Sequence, residues 1–571
     1  MEVFLGVPAA DGIGIGTAFV IPDSVKRAIP QHRIKIDELA DGWKRFEQAI
    51  QSVTLDISRN LETLSADNPN SKIQRDVFET YILMLGDPVF LDETKKFYEN
   101  ELFNIEYTVQ FKAEEYANRL RNAGNDYLAE RAKDITDVFG SVLNEMLDIH
   151  PFDINRVPDG SIIVANTLSS ADTIVLSKRK ISGLALTEGG VSSHVVILAR
   201  NYGIPTIVGL NNISKKIKNG ETVIIDGNNA ELLVSPDKST VLEYKQKLHD
   251  DFQKKQQLKA FLDKPACTID GTQFKLYANI GTPEEAEIAM AEGADGIGLF
   301  RTEFLYMSET GGSIHAAART FSEDSQFDAY KKVLQIMEGK PVTIRTLDAG
   351  GDKLINSVDI PIIEEKNPLM GMRAVRLSLA YPQVFKTQIR ALYRASVFGN
   401  LKIMLPLITS VEQVESCLKI IEEAKQELSD QGIPFNADVP VGIMIETAAA
   451  AIISDCLAKK SAFFSLGTND LTQYTLGIDR ENHAVAPLYD EFNLAVLRLI
   501  QTTVANAKKE NLPLSVCGEM AGRPDSVMVL CGMGIRHLSM SPKLICQTKE
   551  LLSQFSIEEL EAISLKKLNK F

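Results

Sequence analysis

A chain of 571 residues exceeds what one hydrophobic core holds and predicts about three domains. Its hydrophobic content of 44% and charged content of 24% are those of an ordinary globular protein, while a formal net charge of −15 argues against nucleic acid, whose phosphates need surplus Lys and Arg. The opening Met1-Glu2-Val3-Phe4-Leu5 has no basic start or long apolar core, no run has the length of a membrane span, and the six cysteines form no CxxC pair, which together predict a cytoplasmic protein with free thiols.

Residues 3–20 alternate apolar and small residues around Gly6 and Asp11-Gly12, the pattern of a strand–turn–strand hairpin. Gly12, Gly14 and Gly16 have a spacing near that of a dinucleotide loop, but no helix follows and cofactor binding is rejected. From about 30 to 148 the period becomes helical: Ile36, Leu39, Trp43, Phe46, Ile50, Val53, Ile57 and Leu61 step by threes and fours. A second helix over about 71–85 stops at Gly86-Asp87-Pro88, and two more are predicted near 104–122 and 127–148. This four-helix antiparallel bundle over 23–149 holds no His, Cys or carboxylate cluster at ligand spacing, so it is scaffold or docking surface.

Strands return at 161–165, 183–186, 206–208 and 222–227, and with the N-terminal hairpin they predict an α/β domain made of residues 1–22 and 150–235. Inside it lies Glu188-Gly189-Gly190-Val191-Ser192-Ser193-His194, followed by the apolar run Val195–Leu198. The run reads as a short helix capped by Ser192 or Ser193, closed by Gly203 and stopped by Pro205. His194 then sits in the first turn, where free N–H groups and the positive end of the dipole favour a neutral imidazole and an anion beside it. A neutral imidazole there is a nucleophile suited to phosphorus, and the same donors would hold phosphohistidine. Residues 236–262 are very polar and read as a solvated helical linker.

Beyond 263 short apolar strands alternate with helices to the end of the chain at 571. Eight candidates, at 274–280, 296–303, 342–349, 402–408, 441–447, 463–470, 514–520 and 537–541, predict a closed (β/α)8 barrel with its chemistry at the C-terminal strand ends. The charged residues fall at those ends: Arg301 and Glu303 on the second strand, Arg345 with Asp348 and Lys353 on the third, then Arg373, Glu446, Asn469 and Asp470, Arg480, and Cys517. Four arginines and a lysine converging on one mouth imply a small polyanion bearing phosphate and carboxylate, both matched by guanidinium forks. Glu446 and Asp470, with no softer donor nearby, fit Mg2+, and Cys517 is placed to give a proton to carbon.

At these residues a family resemblance emerges. Gly190-Val191-Ser192-Ser193-His194, Gly298-Leu299-Phe300-Arg301-Thr302-Glu303-Phe304, Asp348-Ala349-Gly350-Gly351-Asp352-Lys353 and Ser465-Leu466-Gly467-Thr468-Asn469-Asp470-Leu471-Thr472 resemble the PEP-utilising enzymes. The similarity is greatest to the enzyme I group of the bacterial sugar phosphotransferase system and extends over nearly the whole chain. It implies a swivelling phosphohistidine domain, a helical HPr-binding insert, a linker and a barrel that binds phosphoenolpyruvate and pairs two copies into a homodimer. By match to the motifs, His194 would take the phosphoryl group and pass it to an HPr-like carrier. Arg301, Arg345, Lys353, Arg373, Asn469 and Arg480 would hold substrate, Glu446 and Asp470 would hold Mg2+, and Cys517 would protonate the enolate. The docking side of the insert would include residues 127–132.

Several positions depart from the family pattern. Val191 stands where an Arg is usual and Ser192 where Thr is; residues 167–171 replace an Asp-Leu-Thr-Pro-Ser turn; Thr136 replaces an Arg of the docking helix; Ala448, two residues after Glu446, stands where Pro is usual. Residues 308–325 lengthen the loop after the second barrel strand. The nitrogen-regulatory paralogues of enzyme I share this layout, as do, more remotely, PEP synthase and pyruvate phosphate dikinase. The last two also need an ATP-binding domain, and the helical insert carries no Gly-rich phosphate loop.

Overall fold

Three strands that read as unbroken apolar runs, Ser161–Ala165, Gly183–Leu186 and Thr206–Val208, are buried on both faces and run parallel to one another. Their alternation builds two cores. Ile163, Ala165, Leu184 and Leu186 face one side with Val195, Val196 and Ala199, whereas Ile162, Val164, Ala185 and Ile207 face the other with Ile213 and Ile217. This is a computed structural model, and it describes every residue except 22–28, 63–70, 122–125, 149–156, 169–171, 173–175, 177–178, 189–193, 202, 212, 304, 306–321, 351–364, 366, 481, 483 and 570–571. The described chain divides into two units, Met1–Gln253 and Lys254–Phe571.

Among the described residues of the first unit the sheet has eight strands, and the N-terminal strands pair with distant partners instead of forming the expected hairpin. Glu2–Leu5 pairs with Glu231–Val234, Val7–Ala10 with Thr206–Val208, and Ile13–Val20 lies between Thr222–Asp226 and Ser161–Ala165. The partners lie far away in sequence, where local alternation carries no information about pairing. Gly14 and Gly16 have a packing reason: a Cβ on either would overlap the carbonyl oxygen of Ser182 or Gly160 on the neighbouring chain turns.

Among the described residues the helical segment contains five α-helices, one more than predicted: Leu39–Glu62, Ser71–Leu85, Pro88–Glu101, Ile105–Arg121 and Asp126–Met146. Gly86-Asp87-Pro88 ends one helix and also starts the next, because the Asp87 carboxylate accepts the Val89 N–H at 2.9 Å and Pro88 occupies the first helical position. Phe46, Phe78, Phe90, Tyr98, Val109 and Phe139 fill the bundle core. A polar helix, Lys238–Lys259, follows the sheet unit and carries the chain into the second.

The second unit is a closed barrel. Its eight parallel strands are Gln273–Ile280, Ile297–Arg301, Pro341–Arg345, Asn400–Leu405, Val441–Ile445, Phe464–Leu466, Leu514–Val516 and His537–Met540, and the first pairs with both the second and the eighth. Outward residues such as Ile403, Leu405, Ile443 and Ile445 pack on the surrounding helices, while Leu299, Met404, Met444, Phe463 and Cys517 form a separate inner cluster. Most strands are shorter than expected. The sixth ends at Leu466, and Asn469 and Asp470 belong to the first turn of the helix Thr468–Leu476 rather than to the strand.

Candidate active site at the barrel mouth

Each functional side chain sits where a strand gives way to a capped turn. Glu446 follows the strand Val441–Ile445 directly; the next residue, Thr447, accepts the Ala450 N–H at 3.1 Å to cap a helix and donates its hydroxyl to the Ile408 carbonyl at 2.8 Å. Glu446 is thereby fixed, 1% exposed, with Oε1 accepting the Leu407 N–H. Asp470 lies at the N-terminal end of its helix, where the dipole favours a carboxylate. Asn469 is locked to Glu519: its Oδ1 accepts the Glu519 N–H at 2.8 Å and its Nδ2 donates to Glu519 Oε1 at 3.4 Å.

Carboxylate oxygens of Asp348, Glu446 and Asp470 all lie within 4.8 Å of one another. Arg345, 6% exposed, donates Nη1 to Asp348 and Nη2 to Glu303, both at 2.6 Å. Arg373 reaches the other oxygen of Asp348 at 3.3 Å, and Arg480 approaches Asp470 at 3.9 Å. Four carboxylates (Glu303, Asp348, Glu446, Asp470) thus face four guanidiniums (Arg301, Arg345, Arg373, Arg480). Among the described residues the protein itself thus supplies counter-charges to these guanidiniums.

The balance is electrostatically frustrated all the same. Burial first, then the neighbouring charges of Asp348 and Asp470, pushes the Glu446 carboxyl well above the ordinary range; burial and Asp348 likewise raise Asp470. Glu446 Oε2, Glu303 Oε2, Arg345 Nε and Arg373 Nε are buried with no hydrogen-bond partner among the described residues. A converging set of unsatisfied oxygen acceptors and guanidinium donors is what a hard cation and an oxyanion would satisfy together. The residues present therefore fit a divalent cation with oxygen ligands.

Cys517 lies in the inner cluster with its sulfur 3.6 Å from the Leu466 carbonyl, and burial raises its thiol to about 11. It is a protonated thiol at neutral pH, the state of a proton donor. Iodoacetamide at pH 8 is expected to alkylate the exposed Cys456 well before Cys517, as read by peptide mass spectrometry; early labelling of Cys517 would contradict a buried, protonated thiol.

Three family descriptions match the chain in sequence order: PEP-utilising enzyme, N-terminal, over residues 5–131; the mobile domain of the same family over 157–230; and its PEP-binding domain over 255–557. Proteins named phosphoenolpyruvate-protein phosphotransferase are similar over almost their whole length. The one from Priestia megaterium is 36% identical, with 97% of this chain and 94% of the relative covered. That from Bacillus sp. (strain S) is 37% identical over 98% and 94%, and that from Bacillus subtilis (strain 168) 36% over 100% and 97%. The chain belongs to the phosphoenolpyruvate-protein phosphotransferase family. In this family member the PEP-binding description spans all eight barrel strands and every acid and base of the mouth, and the mobile-domain description spans His194.

Of the residues singled out in the sequence, Arg345, Arg373, Glu446, Asp470 and Arg480 meet at the mouth through the contacts above, Arg301 ends the second strand, Asn469 lies in the helix turn that follows the sixth strand, and Cys517 directly follows the seventh. Lys353 and the insertion over 308–325, apart from its last four residues, lie outside the described residues. His194 is the first residue of the helix His194–Asn201, as expected, and the description of it stops at the backbone; Ser192 and Ser193 lie outside. The helix closes as predicted, with Gly203 at φ +65° and the Ile204 N–H donating to the Ala199 carbonyl at 2.9 Å. The docking side chains of 127–131 also lie outside the described residues. Asp348 was not chosen as a metal-facing group from the sequence, although its place three residues after Arg345, past a strand end, is the same signal that marked Glu446 and Asp470.

The Arg345 bridge has a stability consequence. Arg345→Met removes the buried partner shared by Glu303 and Asp348 and leaves Asp348 only its longer contact with Arg373, and thermal or urea unfolding is expected to show a loss of about 3–5 kcal/mol, with an unchanged midpoint as the contrary result.

Proposed function

We propose that this chain transfers the phosphoryl group of phosphoenolpyruvate to His194 and then to a histidine of an HPr-like carrier, releasing pyruvate, as the entry step of a sugar phosphotransferase system. The observation that supports it most is the single barrel mouth in which paired arginines, three clustered carboxylates and a protonated thiol converge, in a chain whose family is named for this reaction. We assign Mg2+ as the cofactor, with Glu446 and Asp470 as its protein ligands and Asp348 beside them. Bound there, the ion would neutralise the carboxylates and polarise the substrate phosphate.

The chain's own residues account for the remaining steps. Arg301, Arg345, Arg373, Arg480 and Lys353 clamp the carboxylate and phosphate, and Asn469, held by Glu519, contacts the phosphate. An imidazole nitrogen of His194 attacks phosphorus as the P–O bond to enolpyruvate breaks. The Cys517 thiol delivers its proton to the methylene carbon, completing pyruvate, and solvent restores the thiol. The phosphoryl group then passes to the carrier, for which we propose the helical insert as the docking platform. We place the protein in the cytoplasm as a homodimer; no described helix is long and apolar enough to cross a membrane.

Metal and substrate are coupled by the charge balance. Asp348 compensates Arg345 and Arg373 within the described residues, and a cation held by the carboxylates would free these two guanidiniums for the substrate. Mn2+ affinity, read by electron paramagnetic resonance, is therefore expected to rise at least severalfold when phosphoenolpyruvate is present, and to rise with pH as Glu446 and Asp470 give up the protons that burial favours. Independence of both would contradict this arrangement. Cys517→Ala is expected to slow pyruvate formation by about 100-fold or more while phosphoryl return from the phosphorylated carrier to His194 stays near wild type. Equal loss of both half-reactions would remove Cys517 from the role of carbon acid.

A further inference from the structure

The two strand ends that carry Arg301, Glu303, Arg345 and Asp348 are fastened by one side chain that belongs to neither. Gln388, on the helix Pro382–Ala395, is 2% exposed. Its Oε1 accepts the Leu347 N–H at 3.0 Å, and its Nε2 donates to the Thr302 hydroxyl at 3.3 Å and to the Tyr330 hydroxyl at 3.1 Å. Thr302 in turn donates to the Arg345 carbonyl at 3.0 Å, and Tyr330 donates to Gln326 at 3.1 Å. Thr302 is flanked by Arg301 and Glu303, and Leu347 precedes Asp348. A single buried amide therefore sets the height and orientation of the peptide units bearing half of the mouth's charges.

We infer that Gln388 is a positioning residue for the phosphoenolpyruvate half-reaction, acting through Thr302 and Leu347 on the Arg345–Asp348–Glu303 triad. Three features carry this. The residue after Arg345 lies beyond the last ladder position of its strand, so the strand register itself stops short of Asp348. The Leu347 N–H, with nothing to pair with in the sheet, is satisfied by Gln388 instead. The third feature is the partner: Tyr330, fully buried on the helix Glu323–Ile336, holds the amide in one orientation, so donor and acceptor ends are not interchangeable. A displacement of the order of 1 Å at such a support costs about a hundredfold in a reaction that depends on alignment.

This inference rests on the function proposed above, and the test separates the two. Gln388→Met keeps volume and removes the hydrogen bonds to Leu347, Thr302 and Tyr330; Tyr330→Phe removes the hydroxyl that orients the amide. For Gln388→Met the expected result is a fall of about 10- to 100-fold in kcat/KM for phosphoenolpyruvate, and several-fold weaker binding of Mn2+ alone. Transfer from the phosphorylated carrier to His194 should stay within twofold of wild type. Tyr330→Phe should show a smaller loss of the same one-sided kind, with its melting curve as the check on folding. An unchanged phosphoenolpyruvate half-reaction in both variants, or equal losses in both half-reactions, overturns the role of Gln388. Absence of any phosphoenolpyruvate-dependent phosphorylation in the wild-type protein would instead overturn the function itself.

Discussion

Glu446→Gln is expected to lower kcat/KM for phosphoenolpyruvate on the order of a thousandfold, about 4 kcal/mol, and to abolish saturable Mn2+ binding. The change removes one charge and no volume. Glu446 is fixed by the strand before it, the Thr447 cap after it and the Leu407 N–H, so the amide will occupy the same place. What disappears is the anionic oxygen, Oε2, that has no hydrogen-bond partner among the described residues and sits with Asp348 and Asp470. Because burial and those two neighbours oppose the ionised form, the same substitution is expected to leave the melting temperature unchanged or raise it. A stable variant with no activity separates a metal-binding carboxylate from a structural one. Retained activity with lost stability would reverse that assignment.

The second large effect belongs to His194. His194→Ala is expected to reduce exchange of labelled pyruvate into phosphoenolpyruvate to background, while Mn2+ and phosphoenolpyruvate still bind the barrel with near wild-type affinity. The two sites lie in different units of the chain, His194 in Met1–Gln253 and the acids and bases of the mouth in Lys254–Phe571. Removing the imidazole takes away the nucleophile and leaves every acid and base of the clamp in the chain, so binding and chemistry are expected to dissociate. Loss of substrate binding in this variant, or exchange that persists, would place the phosphoryl acceptor elsewhere.

Much of this was legible in the sequence, for identifiable reasons. Several barrel strands are short apolar runs that end in or lead straight into a charged residue, as at Arg301, Arg345 and Glu446, and those endings announced the mouth because a closed barrel puts all C-terminal strand ends together. The helix at His194 was legible because Gly203 and Pro205 end it through local backbone chemistry. Pairing was not legible: Glu2–Leu5 finds its partner at Glu231–Val234, and nothing near Gly6 specifies that distance. The extra helix at Pro88 escaped because Asp-Pro after Gly ends one helix and caps another with the same residues. Asp348 and Gln388 were hidden for a different reason. The metal-facing role of the first depends on two strands a hundred residues on, and the second reads as an ordinary helix residue until the fold sets its amide against Leu347.

The most direct test of the central claim, that the barrel mouth hands phosphorus to His194, is to incubate the protein with phosphoenolpyruvate labelled at phosphorus, with Mg2+, and map the label. The account predicts one acid-labile, base-stable phosphoryl group per chain, carried on the peptide containing His194 and discharged by pyruvate. Label on any other residue, or none under conditions where phosphoenolpyruvate binds, would contradict it.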